Sequence, residues 1–198
     1  MKLRHLEIQL EKVAGIPDPD PAMEQYMTPA PLAARLLYDA YLAGDISGCV
    51  VCDPGSGTGI LAIGAALLGA EQVYGIERDE RLVAVAQENA KLLSVDCTFV
   101  PGELSDFQVS CDTVVMNPPF GAQKRHADRP FIDAALRIAP VVYGIFNKDS
   151  IPFLSSYITG RAAIVGMVAA RFPIKRSFSF HKRAVLDIPV EIVCMRRI

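Results

Sequence analysis

Leu3, Leu6, Leu10 and Val13 recur at helical spacing, so the chain opens with a short amphipathic helix. Ile16-Pro-Asp-Pro-Asp-Pro follows; each proline fixes φ and lacks a backbone donor, which predicts an extended segment. Thr28 reads as an N-cap with Pro29 at the first helical position, opening a helix to about Ala43 that stops at Gly44. From Gly48 onward the pattern changes to strands alternating with helices. Val50 to Asp53, Gln72 to Glu77, Thr98 to Val100, Asp112 to Met116 and Val141 to Phe146 read as strands. Between and after them lie helices at Ile60 to Gly69, Asp79 to Leu93, near Phe131 to Ile138 and near Ile151 to Ile158. Two β-rich stretches, Ala162 to Ala170 and Val185 to Met195, end the chain. Alternation at this spacing predicts an α/β fold, an open and mostly parallel sheet with helices on both faces. It is expected as one domain over residues 1–198, with residues 1–44 as an N-terminal helical extension.

Composition narrows the picture only a little. At 198 residues, 51% apolar and 21% charged, the chain can bury one real core. The longest apolar run, Ile60 to Ala70, contains two glycines and is about half the length of a bilayer span. Lys2 and Arg4 are followed by Glu7 and Glu11 instead of an apolar stretch, so no signal peptide is read and a cytoplasmic location is expected by elimination. Five scattered cysteines suit reduced thiols. Cys49 and Cys52 form a C-x-x-C, but on a strand residues three apart point to opposite faces, and no metal site is expected.

The net charge of −2 argues against gripping nucleic acid by bulk electrostatics. That charge is unevenly placed: residues 168–198 hold seven Lys/Arg against two Asp/Glu, and the rest of the chain is net acidic.

Candidate chemistry lies at two turns. Asp53-Pro-Gly-Ser-Gly-Thr-Gly, residues 53–59, stands where the first strand hands over to a helix, the edge at which such sheets bind ligands. Gly55, Gly57 and Gly59 let the backbone turn sharply and a ligand approach it closely. Eighteen residues beyond Gly59, Glu77 ends the second strand and could accept both hydroxyls of a ribose. Gly57, Gly59 and Ala62 also satisfy the dinucleotide fingerprint, so a nicotinamide cofactor is a rival. Asp53 tilts the balance, since a carboxylate there repels a pyrophosphate but suits the cationic amino group of a methionine moiety.

Asn117-Pro-Pro-Phe follows the fourth strand on the same edge. An adenine N6 amine is a poor nucleophile because its lone pair is delocalised into the ring. Acceptors on its two N–H bonds, here the Asn117 side-chain oxygen and the Pro118 carbonyl, favour the pyramidal form that can attack a methyl group. Pro118 and Pro119 hold that carbonyl rigidly. Phe120 offers a face for an extruded base, worth about 1–3 kcal/mol. The same motif also serves methylation of a protein glutamine or another planar amine, usually with tyrosine following; a non-catalytic scaffold that binds the same cofactor is a further alternative, disfavoured by the intact Asn117.

Together with Glu24-Gln-Tyr-Met-Thr-Pro, these turns resemble the methyltransferase-like protein five family, ribosomal-RNA N6-adenine methyltransferases. The likeness extends through Ala33-Ala-Arg-Leu-Leu, His126-Ala-Asp-Arg-Pro-Phe and Phe180-His-Lys-Arg, nearly the whole chain. It implies a Rossmann-like class I methyltransferase with a mostly parallel seven-stranded sheet and S-adenosyl-L-methionine as cofactor. Gln25, Tyr26 and Thr28 would then close over the cofactor. Gly55, Thr58 and Ile60 would line its methionine part, and Glu77 would hold the ribose. Glu103 and Leu104 would flank its adenine, and Asn117 would touch both cofactor and target amine. Relatives usually carry aspartate at the positions of Glu77 and Glu103.

Lys124, Arg125, His126 and Arg129 follow Phe120 closely, and Phe180, His181 and Lys182 lie in the late basic stretch. Cations interleaved with aromatics suit a surface that meets phosphates while stacking bases, so RNA, foremost ribosomal RNA, is the expected partner. With no spare domain to flip a duplex base, an already unpaired adenine is expected, or a partner that supplies specificity. The resemblance also implies a small zinc-containing activator protein.

Overall fold

The computed structural model describes residues 1–17, 26–120, 126–175 and 185–198. Its centre is a seven-stranded sheet in the order β3-β2-β1-β4-β5-β7-β6. The strands are β1 (Val50–Pro54), β2 (Gln72–Glu77), β3 (Thr98–Pro101), β4 (Thr113–Met116), β5 (Val141–Asn147), β6 (Ala162–Lys175) and β7 (Val185–Arg197). β1 to β5 run parallel, whereas β7 inserts antiparallel between β5 and β6. This is the Rossmann-like class I methyltransferase fold expected from the sequence.

Helices α1 (Leu3–Leu10), α2 (Ala30–Leu42), α3 (Ile60–Leu67) and α4 (Glu80–Leu92) cover one face of the sheet. There Leu6, Leu10, Leu36, Leu37, Leu61 and Ile63 pack on Val51, Val115 and Ile145. Helices α5 (Arg129–Ile138) and α6 (Ile151–Ile158) cover the other, packing Ile132, Leu136, Leu154 and Ile158 against Cys52, Val114, Val142 and Met195. With apolar side chains demanded on both faces, β4 and β5 are almost wholly buried, which explains their largely apolar sequences, Thr-Val-Val-Met and Val-Val-Tyr-Gly-Ile-Phe. Among the described residues no helix is long and apolar enough to cross a membrane.

Two features depart from the sequence reading. Thr28 makes no capping bond; α2 is preceded by Pro29, and the Thr28 hydroxyl is engaged by Asn117 instead. The last two strands also run longer than the apolar patterns that announced them, through a register that continues to Lys175 opposite Val185. Pro173 is tolerated because β6 is an edge strand, and Pro189 because it lies just beyond Val190, where β7 stops pairing with β5.

Candidate functional site

Strand order reverses between β1 and β4, and a crevice opens beyond their carboxyl ends at such a switch point. Both chemical motifs sit there. β1 pairs with β4 in the register Val51 to Thr113 and Cys52 to Val114; continuing it brings Gly55 level with Asn117. The glycine turn and the Asn-Pro-Pro-Phe segment are therefore neighbours in space although they are far apart in the chain.

The glycine turn is held from beneath. Gly55 and Ser56 both donate to the Ile76 carbonyl at the end of β2, at 2.8 and 3.0 Å. Asp53, 2% exposed, accepts from the Ala62 amide at 3.1 Å and so caps the first turn of α3. Burial pushes the Asp53 carboxyl up to about 8; the Ala62 N–H opposes that rise, and the charge of Glu77 adds to it. Glu77 ends β2 with one carboxylate oxygen accepting from Gly57 N at 3.0 Å and the other from Asp79 N at 3.0 Å. Each oxygen keeps a lone pair for a further donor, as a ribose diol requires.

Gly57 and Gly59 differ in what they permit. Both have positive φ, +53° and +87°. A Cβ on Gly57 would meet open space, whereas one on Gly59 would lie 2.8 Å from the Phe99 ring. Gly57 thus leaves room above the turn, and Gly59 lets β3 pack against it.

Two adjoining cavities lie over this edge. The first is lined by Ile16, Tyr26, Met27, Thr28, Asp53, Gly55, Ser56, Gly57, Thr58, Ile60, Leu61 and Asn117. The second is lined by Tyr26, Asn117, Pro118, Pro119, Phe120 and Phe172. Tyr26 and Asn117 stand on the wall that the cavities share. The Asn117 side-chain nitrogen donates to Thr28 Oγ1 at 2.9 Å, which turns its oxygen the other way. That oxygen is buried and has no hydrogen-bond partner among the described residues; so does the Ser56 hydroxyl oxygen on the first cavity. Buried polar atoms without partners are uncommon and point to a ligand that completes them.

The structure thus brings Tyr26, Thr28, Asp53, Gly55, Gly57, Thr58, Ile60 and Asn117 together around one cavity, and Pro118, Pro119 and Phe120 around the next. Gly59 lies below the turn, and Glu77 reaches it through Gly57. Glu103 and Leu104 line neither cavity; Glu103 is exposed in the turn after β3, and the Leu104 carbonyl accepts from Arg137. Gln25, Lys124, Arg125, Phe180, His181 and Lys182 lie outside the described residues.

Three residues at or behind the site were not singled out for it in the sequence. Phe172 on β6, 1% exposed, meets Phe120 edge-to-face at 5.5 Å and walls the second cavity. It lies just past Ala170, where the apolar pattern was read to end. Ile16, which opens the proline-rich segment, lines the first cavity; the composition there only announced an extended path.

Asn89 is the third. It interrupts the apolar face of α4, and a buried amide on such a face is a sign of a specific partner. It accepts from Ala14 N at 2.9 Å and donates to the Ala14 carbonyl at 3.2 Å and the Thr58 carbonyl at 3.0 Å. One side chain thereby ties the segment at Ala14 to the glycine turn. Asn89→Ala strands a donor and two acceptors and is expected to destabilise the fold by about 2–4 kcal/mol in urea titration. A midpoint shift below that of an ordinary surface substitution would refute the tie.

The sequence and the fold agree with known proteins. Residues 36–118 match the family model of ribosomal protein L11 methyltransferase (PrmA). Over nearly full length, the chain is 35% identical to the rRNA N(6)-adenosine-methyltransferase Mettl5 of Drosophila melanogaster, covering 96% of this chain and 94% of that protein. It is 38% identical to an uncharacterized protein of Methanocaldococcus jannaschii, with 97% and 93% covered. A crystal structure of a candidate RNA methyltransferase from Pyrococcus horikoshii superposes with a TM-score of 0.92 at 36% identity, covering 100% of this chain and 98% of that one. The chain belongs to the METTL5 family of S-adenosylmethionine-dependent methyltransferases.

Proposed function

We propose that this protein transfers the methyl group of S-adenosylmethionine to the N6 amine of an adenine in RNA, ribosomal RNA foremost. The observation that carries the reading is Asn117 on the wall between two cavities, its side-chain oxygen buried and unpartnered. The names of relatives such as Drosophila Mettl5 support the RNA and N6 specificity.

The residues present fit the methyl donor. Asp53 suits its cationic amino group, the open side of Gly57 leaves room for it, and Glu77 keeps free lone pairs for its ribose. Relatives named as methyltransferases over nearly the whole chain weigh against the nicotinamide alternative. When bound, the donor supplies an electrophilic methyl on a sulfonium.

The chain's own work is to bind, orient and polarise. Phe120, Pro118, Pro119 and Phe172 give the second cavity apolar walls beside the polar Tyr26 and Asn117, a combination that suits the face and the edge of a purine. Asn117 Oδ1 and the Pro118 carbonyl are the acceptors for the two N–H bonds of the amine. Thr28 fixes the Asn117 amide by accepting from its nitrogen, so the oxygen is pre-aimed instead of having to rotate into place. The lone pair freed on N6 forms the N–C bond as the C–S bond breaks toward sulfur. The resulting N6 cation is acidic and loses its extra proton to water without a dedicated base.

Phe172→Leu keeps a buried apolar wall while removing the edge-to-face support of Phe120. It should raise the KM for RNA by roughly two- to tenfold, the worth of one aromatic pair, and leave cofactor affinity unchanged. Steady-state kinetics read this split; an equal loss of cofactor affinity would contradict it. The zinc-containing activator that the resemblance implies would find strand edges at β3 and β6, the two margins of the sheet.

The substrate is tested by incubating the protein with ribosomal RNA and labelled methyl donor, then digesting to nucleosides for mass spectrometry. Label in N6-methyladenosine is expected. Label confined to protein, at a glutamine for instance, would refute the RNA reading.

A further inference from the structure

Beside the paired cavities lies a cluster of cations and rings that the proposed chemistry does not use. α5 begins at Arg129, and its first turn is anchored at the glycine turn: a Cβ on Gly55 would come 2.6 Å from the Phe131 ring. β5 ends at the same edge of the sheet and leads through the turn Lys148–Ser150 into α6. The Arg129 guanidinium lies between these helices, 5.0 Å from the centroid of Phe153 and 5.2 Å from that of Tyr157. Phe153 and Tyr157 stack at 5.3 Å, and exposed His126 lies 5.7 Å from Phe153.

Two arginines in this cluster are treated differently. Arg161 also covers Tyr157, at 4.9 Å, but its charge is met by Asp133 at 2.7 Å, and Asp133 further accepts from Tyr157 Oη at 2.8 Å. That arrangement ties α5 to α6 and is complete in itself. Arg129 has no carboxylate within ion-pair distance among the described residues. Its one polar neighbour there is His126 Nε2 at 3.5 Å, and its Nε is buried without a partner. A guanidinium oriented by two ring faces and left electrically uncompensated is prepared for an anion, and its planar donors match a phosphate. Phe153 and His126 alongside add stacking faces of the kind that hold unpaired bases.

We infer that Arg129 binds a backbone phosphate of the RNA strand flanking the target adenine, with Phe153 and His126 as stacking faces for a neighbouring nucleotide. The inference rests on the RNA reading above and adds a second point of grip outside the adenine cavity. It explains how a net-acidic chain holds its substrate: a few placed cations do the work of a broad basic surface.

Fluorescence anisotropy with a labelled single-stranded RNA oligonucleotide, titrated over a range of salt, tests the assignment without relying on methylation. Arg129→Gln should weaken binding by roughly tenfold at low salt and reduce the slope of log affinity against log salt by about 0.7, the loss of one phosphate contact. S-adenosylhomocysteine should still raise its melting temperature as in the wild type, which shows that the variant is folded. Lys91→Gln removes an equal charge from exposed α4 and should leave affinity and slope unchanged. Phe153→Leu keeps the Arg129 charge and should weaken binding several-fold at an unchanged slope. Wild-type affinity and slope in Arg129→Gln would overturn the phosphate assignment alone, and wild-type affinity in Phe153→Leu would overturn the stacking part. Failure of the wild-type protein to bind RNA would overturn the RNA reading together with it.

Discussion

Asn117→Ala should lower kcat for methyl transfer to RNA by about two to three orders of magnitude, the loss seen when one preorganised polar contact to a reacting group is removed. Affinity for S-adenosylhomocysteine should fall by far less, because the first cavity keeps eleven of its twelve lining residues unaltered. The reason is geometric. The side-chain oxygen of Asn117 is buried, unpartnered and fixed by the 2.9 Å bond from its nitrogen to Thr28, so it is poised before any substrate arrives. Asn117→Asp keeps an oxygen acceptor but must accept a hydrogen bond from the Thr28 hydroxyl instead of donating one to it, and should retain more activity than alanine. Single-turnover incorporation of labelled methyl is the direct measurement. A kcat for Asn117→Ala within a few-fold of the wild type would remove the amide from the chemistry.

Asp53→Asn is expected to abolish the carboxyl's pH-dependent contribution to stability and to weaken cofactor binding in the same stroke. The Asp53 carboxyl stands at about 8 in the fold, chiefly because it is buried, against about 3.9 for an unfolded aspartate. Between those values the folded chain holds a proton that the unfolded chain has released. Raising the pH therefore favours unfolding: this contribution is fully present below about 4, declines through the window and is gone above about 8. The asparagine variant has no such window, so its melting temperature should gain on the wild type steadily from pH 5 to 8. A cationic amino group beside Asp53 would draw the proton off, so wild-type affinity for S-adenosylhomocysteine should tighten as pH rises toward 8. The variant should show weaker binding, by about tenfold or more, without proton release. Calorimetry in two buffers of different ionisation enthalpy reads the proton directly, and the variant measured in parallel subtracts the ligand's own titration. A constant melting-temperature difference across pH would mean that Asp53 is ionised in the free fold.

These outcomes also measure how much a single chain of letters disclosed. Alternation of apolar runs with turn signals placed all seven strands, because a sheet covered on both faces needs long apolar strands and leaves polar residues to the turns. The same logic stopped at Ala170 although β6 runs on to Lys175, and it was silent on how Pro173 and Pro189 fit inside paired strands. Only the pairing partners show that their missing donors were never needed. Thr28 looked like a helix cap because capping is what threonine before proline usually does. Its hydroxyl went instead to Asn117, a residue distant in sequence.

Local chemistry, then, was fixed by the sequence: a sharp glycine turn after β1, a stiff Asn-Pro-Pro-Phe after β4 and an acidic end to β2 each follow from backbone geometry that nearby residues dictate. What tertiary structure decided was which distant groups meet. Ile16 and Tyr26 beside the glycine turn, Asn89 joining Ala14 to Thr58, Phe172 behind Phe120 and Arg129 between α5 and α6, with no carboxylate within ion-pair distance among the described residues, all depend on packing across the sheet. Hydrogen bonds and ring contacts act over a few ångströms in space, and periodicity along a chain carries no record of those distances until the sheet has closed them.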